Sequence, residues 1–173
     1  MKTVETSIVE RFPSVRVLVV GDVLLDRFQY GKVERVSPEA PVPVFQPVRT
    51  VEMPGGAGNT AINLSSLGCN VNLIARTGSD KMSNRLLNIF KEREVFVHFF
   101  HQEACCTAVK TRLIAGNNHI LRIDEEQIAA LDRKLSGLVG DAVSDELADS
   151  DIVVISDYGK GFLTPDLTSR IIV

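Results

Sequence analysis

At 173 residues the chain is long enough for one sizeable core, and 45% hydrophobic with 24% charged residues is the profile of an ordinary soluble globular protein. Its net charge of -3 comes from 19 basic and 22 acidic residues scattered without a Lys/Arg block, which excludes a nucleic-acid or anionic-membrane footprint. Apolar runs such as Val17 to Val20 and Ile152 to Ile155 are far too short to span a bilayer.

Met1 to Arg11 mixes Lys, Glu, Thr and Ser without an apolar stretch, so it does not read as a secretory signal. The β-branched run from Val15 to Val20 ends at Gly21 and predicts a buried strand of a parallel sheet, where both faces are covered and alternation disappears. From Phe28 to Val48 the texture changes, because Pro38, Pro41, Pro43 and Pro47 interrupt a rough alternation. Proline cannot donate to a ladder, so this stretch predicts edge-like strands forming a small flap across the end of the first strand.

Pro54-Gly55-Gly56-Ala57-Gly58-Asn59-Thr60 comes next, then a close-packed helix from Ala61 to Leu67 that Gly68 stops. Val71 to Ala75 reads as a strand and Asp80 to Glu94 as an amphipathic helix with Leu86, Leu87 and Phe90 on its apolar side. Val95 to Phe100 and Thr107 to Ala115 read as strands, and Asn117-Asn118 as a tight hairpin turn into His119 to Ile123. A helix from Leu131 to Leu147 and a second buried strand from Asp151 to Ser156 follow. Thr164-Pro165-Asp166 is a helix start, with Thr as cap, Pro at the first position and an acid facing the dipole. Strands alternating with helices predict a three-layer α/β fold with a mostly parallel sheet. The last helix has no second parallel strand to pack beside, so the chain reads as cut in the middle of a βαβ unit.

Three groups of residues carry chemistry. Gly56-Ala57-Gly58-Asn59-Thr60-Ala61 fits the G-x-G-x-x-A dinucleotide pattern, but that fingerprint closes the first strand directly and here the flap intervenes. In either case Gly55 and Gly56 let a ligand approach the backbone at a helix start. Asp22 and Asp26 lie just past the carboxyl end of the first strand, where such sheets bind ligands and where ionised carboxylates can accept sugar hydroxyls. For Asp22 a turn cap is an equal reading. Lys160, between Gly159 and Gly161 after the last strand, is either a phosphate-meeting point charge or a solvated loop lysine. Arg112 and Arg122 flank the hairpin on paired strands and can fork a phosphate, or simply stand in solvent. His98, His101 and His119 lack metal spacing, and Cys69, Cys105 and Cys106 read as reduced thiols of a cytoplasmic protein.

Gly21-Asp22-x-x-x-Asp26, the flap, Gly55-Gly56-x-x-Asn59 and Thr77-Gly78-x-Asp80 together resemble the PfkB/ribokinase family of carbohydrate kinases. Within it, Asp22 to Arg27, Ser37-Pro38-Glu39-Ala40-Pro41-Val42-Pro43-Val44, Pro54 to Ala57, Leu121-Arg122-x-Asp124 and Ser156-Asp157-Tyr158-x-Lys160-Gly161 resemble heptose 7-phosphate kinase domains of ADP-heptose synthases. The resemblance implies a ribokinase-like fold and phosphoryl transfer from ATP, with Mg²⁺, to the anomeric hydroxyl of D-glycero-D-manno-heptose 7-phosphate. It implies that Asp26, Gly55, Gly56 and Asn59 hold sugar hydroxyls, and that the flap from Phe28 to Val48 serves as lid and homodimer clasp. The family's Asn-x-x-Glu and Gly-Ala-Gly-Asp motifs do not occur in this sequence. The expectation is therefore the N-terminal part of one kinase domain over residues 1–173, without its own catalytic Asp base or metal ligands. Another sugar, or a non-catalytic sugar-phosphate-binding module, stands as the alternative.

Overall fold

The computed structural model describes residues 6–103 and 105–172. Met1–Glu5, within the segment read against a signal sequence, and Val173, where the chain reads as cut, lie outside the described residues. A short helix α1 (Thr6–Val9) and a 3-10 turn (Phe12–Ser14) lead into β1 (Arg16–Gly21), β2 (Val23–Val36), β3 (Pro43–Gly56) and α2 (Ala57–Ser66). Then come β4 (Asn70–Thr77), α3 (Lys81–Glu92), β5 (Phe96–His101), β6 (Val109–Ala115) and β7 (Asn118–Glu125). Helix α4 (Arg133–Asp149), β8 (Ile152–Ser156) and α5 (Pro165–Ile171) follow.

β5-β4-β1-β8 form a parallel sheet in that order. β1 shows why its sequence lacks alternation: Val17 and Val19 enter a core with Ala57 and Ala61 of α2 and Leu86 and Phe90 of α3. Leu18 and Val20 enter the opposite core with Val139 and Val143 of α4 and Leu167 of α5. Both faces are dry, so every position is apolar. The three-layer α/β arrangement expected from the sequence is present. α3 starts one residue after Asp80, which the sequence reading placed inside the helix and which caps it, accepting from the Met82 and Ser83 amides at 2.9 Å each. α5 likewise starts after Thr164, whose hydroxyl accepts from the Leu167 amide at 3.2 Å.

The flap is larger than its prolines suggested. β2 begins at Val23 and β3 runs through to Gly56, 14 residues each, and both belong to a second sheet ordered β3-β2-β6-β7. Its middle pairing, β2 with β6, is parallel and joins strands more than eighty positions apart, as in Asp26↔Lys110. The edge-strand inference holds for β3, which among the described residues has only β2 beside it: Pro43 starts it and Pro47 sits at a register shift. Two local readings are corrected. The β6–β7 turn is Gly116-Asn117, with Gly116 at φ 60°, one residue earlier than Asn117-Asn118. α2 begins at Ala57 rather than Ala61, because its small residues let the first turn pack against the sheet.

Candidate functional site

The carboxyl ends of the parallel strands set the site. β1 hands the chain to Asp22, whose amide donates to the Ser156 carbonyl at 3.1 Å and which is only 3% exposed. Its carboxylate accepts the amides of Tyr158 and Lys160 at 3.0 Å each and that of Phe162 at 3.4 Å. Asp22 therefore caps the turn after β8, far along the chain. Of the two readings open from the sequence, the cap has the hydrogen bonds, and its acceptors are taken by amides rather than left for a sugar.

Asp26, four residues on, lies within β2 and pairs in register with Met53 of β3 and Lys110 of β6. One carboxylate oxygen accepts from Arg112, whose guanidinium lies 5.0 Å from the centre of the Phe28 ring. Gly55 leaves the space beside the other oxygen, since a side chain there would meet Asp26 and Leu24. Gly56 precedes α2 at φ 61° with no side-chain cap, its backbone packed on the Asp22 carbonyl. Asn59 stands exposed in the first turn of α2. The β2–β3 register sets Leu24 opposite Gly55 and Val23 opposite Gly56, so Asp26 and the glycine pair share one corner of the fold.

The candidate cations lie on and beside the second sheet. Arg112 and Arg122 are direct cross-strand neighbours on β6 and β7, as the hairpin reading requires. Each already has a carboxylate: Arg112 has Asp26, and Arg122 has Asp124 at 2.9 Å. Lys160 has Glu126 at 2.7 Å, and with its side chain 18% exposed it is not a solvated loop lysine. Lys110 links the set, 2.9 Å from Asp124 and 3.3 Å from Glu126. Arg122, Asp124, Lys110, Glu126 and Lys160 thus form an alternating chain of charge. Lys160 first, then Lys110, hold the Glu126 carboxyl below the usual range. Burial works to lower the Lys110 ammonium, but Asp124 and Glu126 outweigh it and hold it above the ordinary lysine value.

Sequence reading missed Lys110, Glu126 and Arg76. Lys110 carries a period-2 signal: with Arg112 it falls on one face of β6, opposite Asp124 and Arg122 of β7. Arg76, a cation at the end of a buried strand, donates to the carbonyls of Ala129 and Lys160. Among the described residues no group of three or more His, Cys, Asp or Glu side chains is arranged to hold a metal ion. A hollow of about 340 Å³ lined by Asn72, Phe96, His98 and Glu146 opens near the start of β5, at the other end of the strands.

A family model described as pfkB family carbohydrate kinase matches residues 15–171. The bifunctional protein HldE of Hyphomonas neptunium is 40% identical over 167 residues, which is 96% of this chain and 34% of that protein. The D-beta-D-heptose 7-phosphate kinase of Bordetella bronchiseptica is 43% identical over 157 residues, 89% of this chain and 49% of that protein. The chain thus spans about a third to a half of the length of these curated relatives. Among solved structures, phosphofructokinase-2 from Escherichia coli in complex with fructose-6-phosphate superimposes with a TM-score of 0.65 at 18% identity, covering 91% of this chain and 50% of that one. A carbohydrate kinase from Agrobacterium tumefaciens gives 0.60 at 24% identity, covering 82% and 45%. At such identities the structural likeness is one of fold.

Proposed function

The chain belongs to the pfkB family of carbohydrate kinases, and from that premise we propose that it forms the sugar-binding part of a cytoplasmic kinase. The substrate is D-glycero-D-manno-heptose 7-phosphate, phosphorylated at its anomeric hydroxyl from ATP with Mg²⁺. One observation carries the reading: Asp26 lies against Gly55, with Gly56 and the first turn of α2 next along the chain, beside a face bearing Arg112 and Arg122 and linked through Lys110 and Glu126 to Lys160. The printed names of the relatives at 40% and 43% identity support the choice of sugar.

In this reading Asp26 accepts sugar hydroxyls, and the bare backbone at Gly55 and Gly56 lets the ring approach. Asn59 supplies a donor and an acceptor from the first turn of α2. Asp22 contributes by capping the turn that carries Lys160. ATP supplies the phosphoryl group when bound; no residue of this chain is assigned to ATP, to Mg²⁺ or as the base. The chain's part in phosphoryl transfer is to hold the acceptor in place. The second sheet acts as a lid and pairs two copies, a role its exposed Val36, Val48, Leu121 and Ile123 support.

A second reading has its own observation. Every candidate phosphate holder is already paired with a carboxylate, which suits a sugar without a phosphate. Calorimetric titration of the chain with heptose 7-phosphate, the unphosphorylated heptose and fructose 6-phosphate separates the two. Saturable, tightest binding of heptose 7-phosphate is expected. Equal binding of both heptoses sinks the phosphate role, and tighter fructose 6-phosphate binding sinks the substrate.

A further inference from the structure

Lys160 is held by its own peptide in an unusual way. Its N–H donates to Asp22 at 3.0 Å, and its carbonyl accepts from Nη2 of Arg76 at 2.8 Å. An ionised side chain thus grips each side of one residue. The glycines on either side, Gly159 at φ 67° and Gly161 at φ 87°, take conformations that other residues adopt only under strain. A conformation this over-determined, at the ligand edge of a sheet, is the pattern of a functional turn.

Arg76 does a second thing. Nη1 of the same guanidinium donates to the Ala129 carbonyl and, at 3.3 Å, to the side-chain carbonyl of Gln102, whose own amide holds the Ala130 carbonyl at 3.3 Å. Gly161 packs its backbone directly on Ala129, with no room for a side chain. The segment around Ala129 also carries Glu126, the carboxylate that holds the Lys160 ammonium. Among the described residues Arg76 makes no ion pair, and its donors go to backbone and amide oxygens on three segments. Only a planar fork can satisfy acceptors so arranged.

We propose that Arg76 is a positioning residue of the sugar-phosphate site. It locks the 157–162 turn against the 126–130 segment, so that the Lys160 ammonium rests on Glu126 until a substrate phosphate takes it over. Arg76 touches neither the sugar nor its phosphate; it acts through the main chain of Lys160. This deepens the heptose 7-phosphate reading and rests on it.

The test is the ratio of affinities of the chain for heptose 7-phosphate and for the same heptose without phosphate. That ratio isolates the phosphate contact from the hydroxyl contacts at Asp26. Lys160→Met is expected to lower it about tenfold, the usual worth of one charge-assisted contact. Arg76→Met is expected to lower it by a similar factor while leaving unphosphorylated heptose within about twofold of wild type, and the double variant to lose no more than either single one. Arg76→Lys keeps the charge without the fork and is expected to behave as Arg76→Met does. It also serves as the test variant if circular dichroism shows Arg76→Met unfolded. Equal weakening of both heptoses by a folded Arg76 variant, or full additivity with Lys160→Met, overturns the proposal. So does an unchanged ratio in the Arg76 variants beside a lowered one in Lys160→Met, with the underlying reading intact. A wild-type chain that does not distinguish the two heptoses removes the phosphate reading itself, and the role of Arg76 with it.

Discussion

Asp26 keeps one carboxylate oxygen on Arg112 and the other beside the empty flank of Gly55. Truncating it removes an ionised acceptor from the corner where a sugar would lie and leaves the half-buried guanidinium of Arg112 without its partner. Asp26→Ala is expected to weaken heptose 7-phosphate binding by about 1.5–3 kcal/mol, roughly 10- to 100-fold, when titrated by calorimetry. The thermal transition should fall by less than the affinity, because about a fifth of the Arg112 side chain is open to water, which lets its guanidinium be solvated once Asp26 is gone. A transition that falls as far as the affinity would mark Asp26 as structural. The pair Asp22 and Asp26 shows what a sequence can and cannot say at this scale. Both types and their place after a parallel strand were legible. Their division of labour was not, because the amides that occupy Asp22 belong to Tyr158, Lys160 and Phe162 and arrive only when β8 docks beside β1. The partners of Arg112 and Lys160 were hidden for the same reason, since Asp26 and Glu126 are remote in sequence, whereas Arg122 meets Asp124 two residues along its own strand.

Helix caps belong to the next scale, and the one at Thr164 was readable because cap and helix are neighbours in sequence. Asp80 does more than its motif promised. Besides the Met82 and Ser83 amides it accepts from the Thr107 amide at 2.7 Å, tying the start of α3 to the segment that enters β6. Burial works to raise its pKa, but the amides of Thr107, Ser83 and Met82 outweigh burial and hold the carboxyl below the usual aspartate value. A carboxyl depressed in the folded state contributes stability that is full above its unfolded value, near pH 4, and lost as pH falls through the lowered folded value. Asp80→Ala should therefore cost about 1–2 kcal/mol at pH 7 in urea unfolding, and the variant's stability should fall less steeply than wild type below about pH 4. An unchanged acid slope would remove Asp80 from the linkage. Strand membership was less readable than caps. β6 reads as a strand from its own residues, yet nothing local says that it joins β2 rather than β5, because the pairing partner is remote. The prolines misjudged the flap in the other direction: they mark the turn and the outer edge, while β2, which lacks proline, runs through the middle of the sheet.

For the molecule as a whole, the candidate site is a joint between two sheets. Asp26 and Arg112 come from the second sheet, Lys160 and the Asp22 cap from the ends of the parallel one, and Gly55 to Asn59 from the strand and helix that connect them. The apolar side chains left exposed on the second sheet predict association: sedimentation should show a dimer that Leu121→Asp or Ile123→Asp dissociates, and an unaltered monomer would refute the clasp. Ligand binding makes the stronger test, because a ligand held by both sheets must stabilise both. At a free concentration about 100 times its dissociation constant, heptose 7-phosphate should add about 2.7 kcal/mol to unfolding, a rise of roughly 5–11 °C in the transition. The distribution of that energy matters more than its size. Amide hydrogen exchange should slow together in β2 and β6, in the first turn of α2 and across Tyr158 to Phe162, since each supplies a part of the corner. Protection confined to the second sheet would mean that Lys160 and its turn take no part. Protection confined to the parallel sheet would mean that Asp26 and Arg112 form only a surface ion pair, and the sugar site would have to be sought elsewhere on the strand ends.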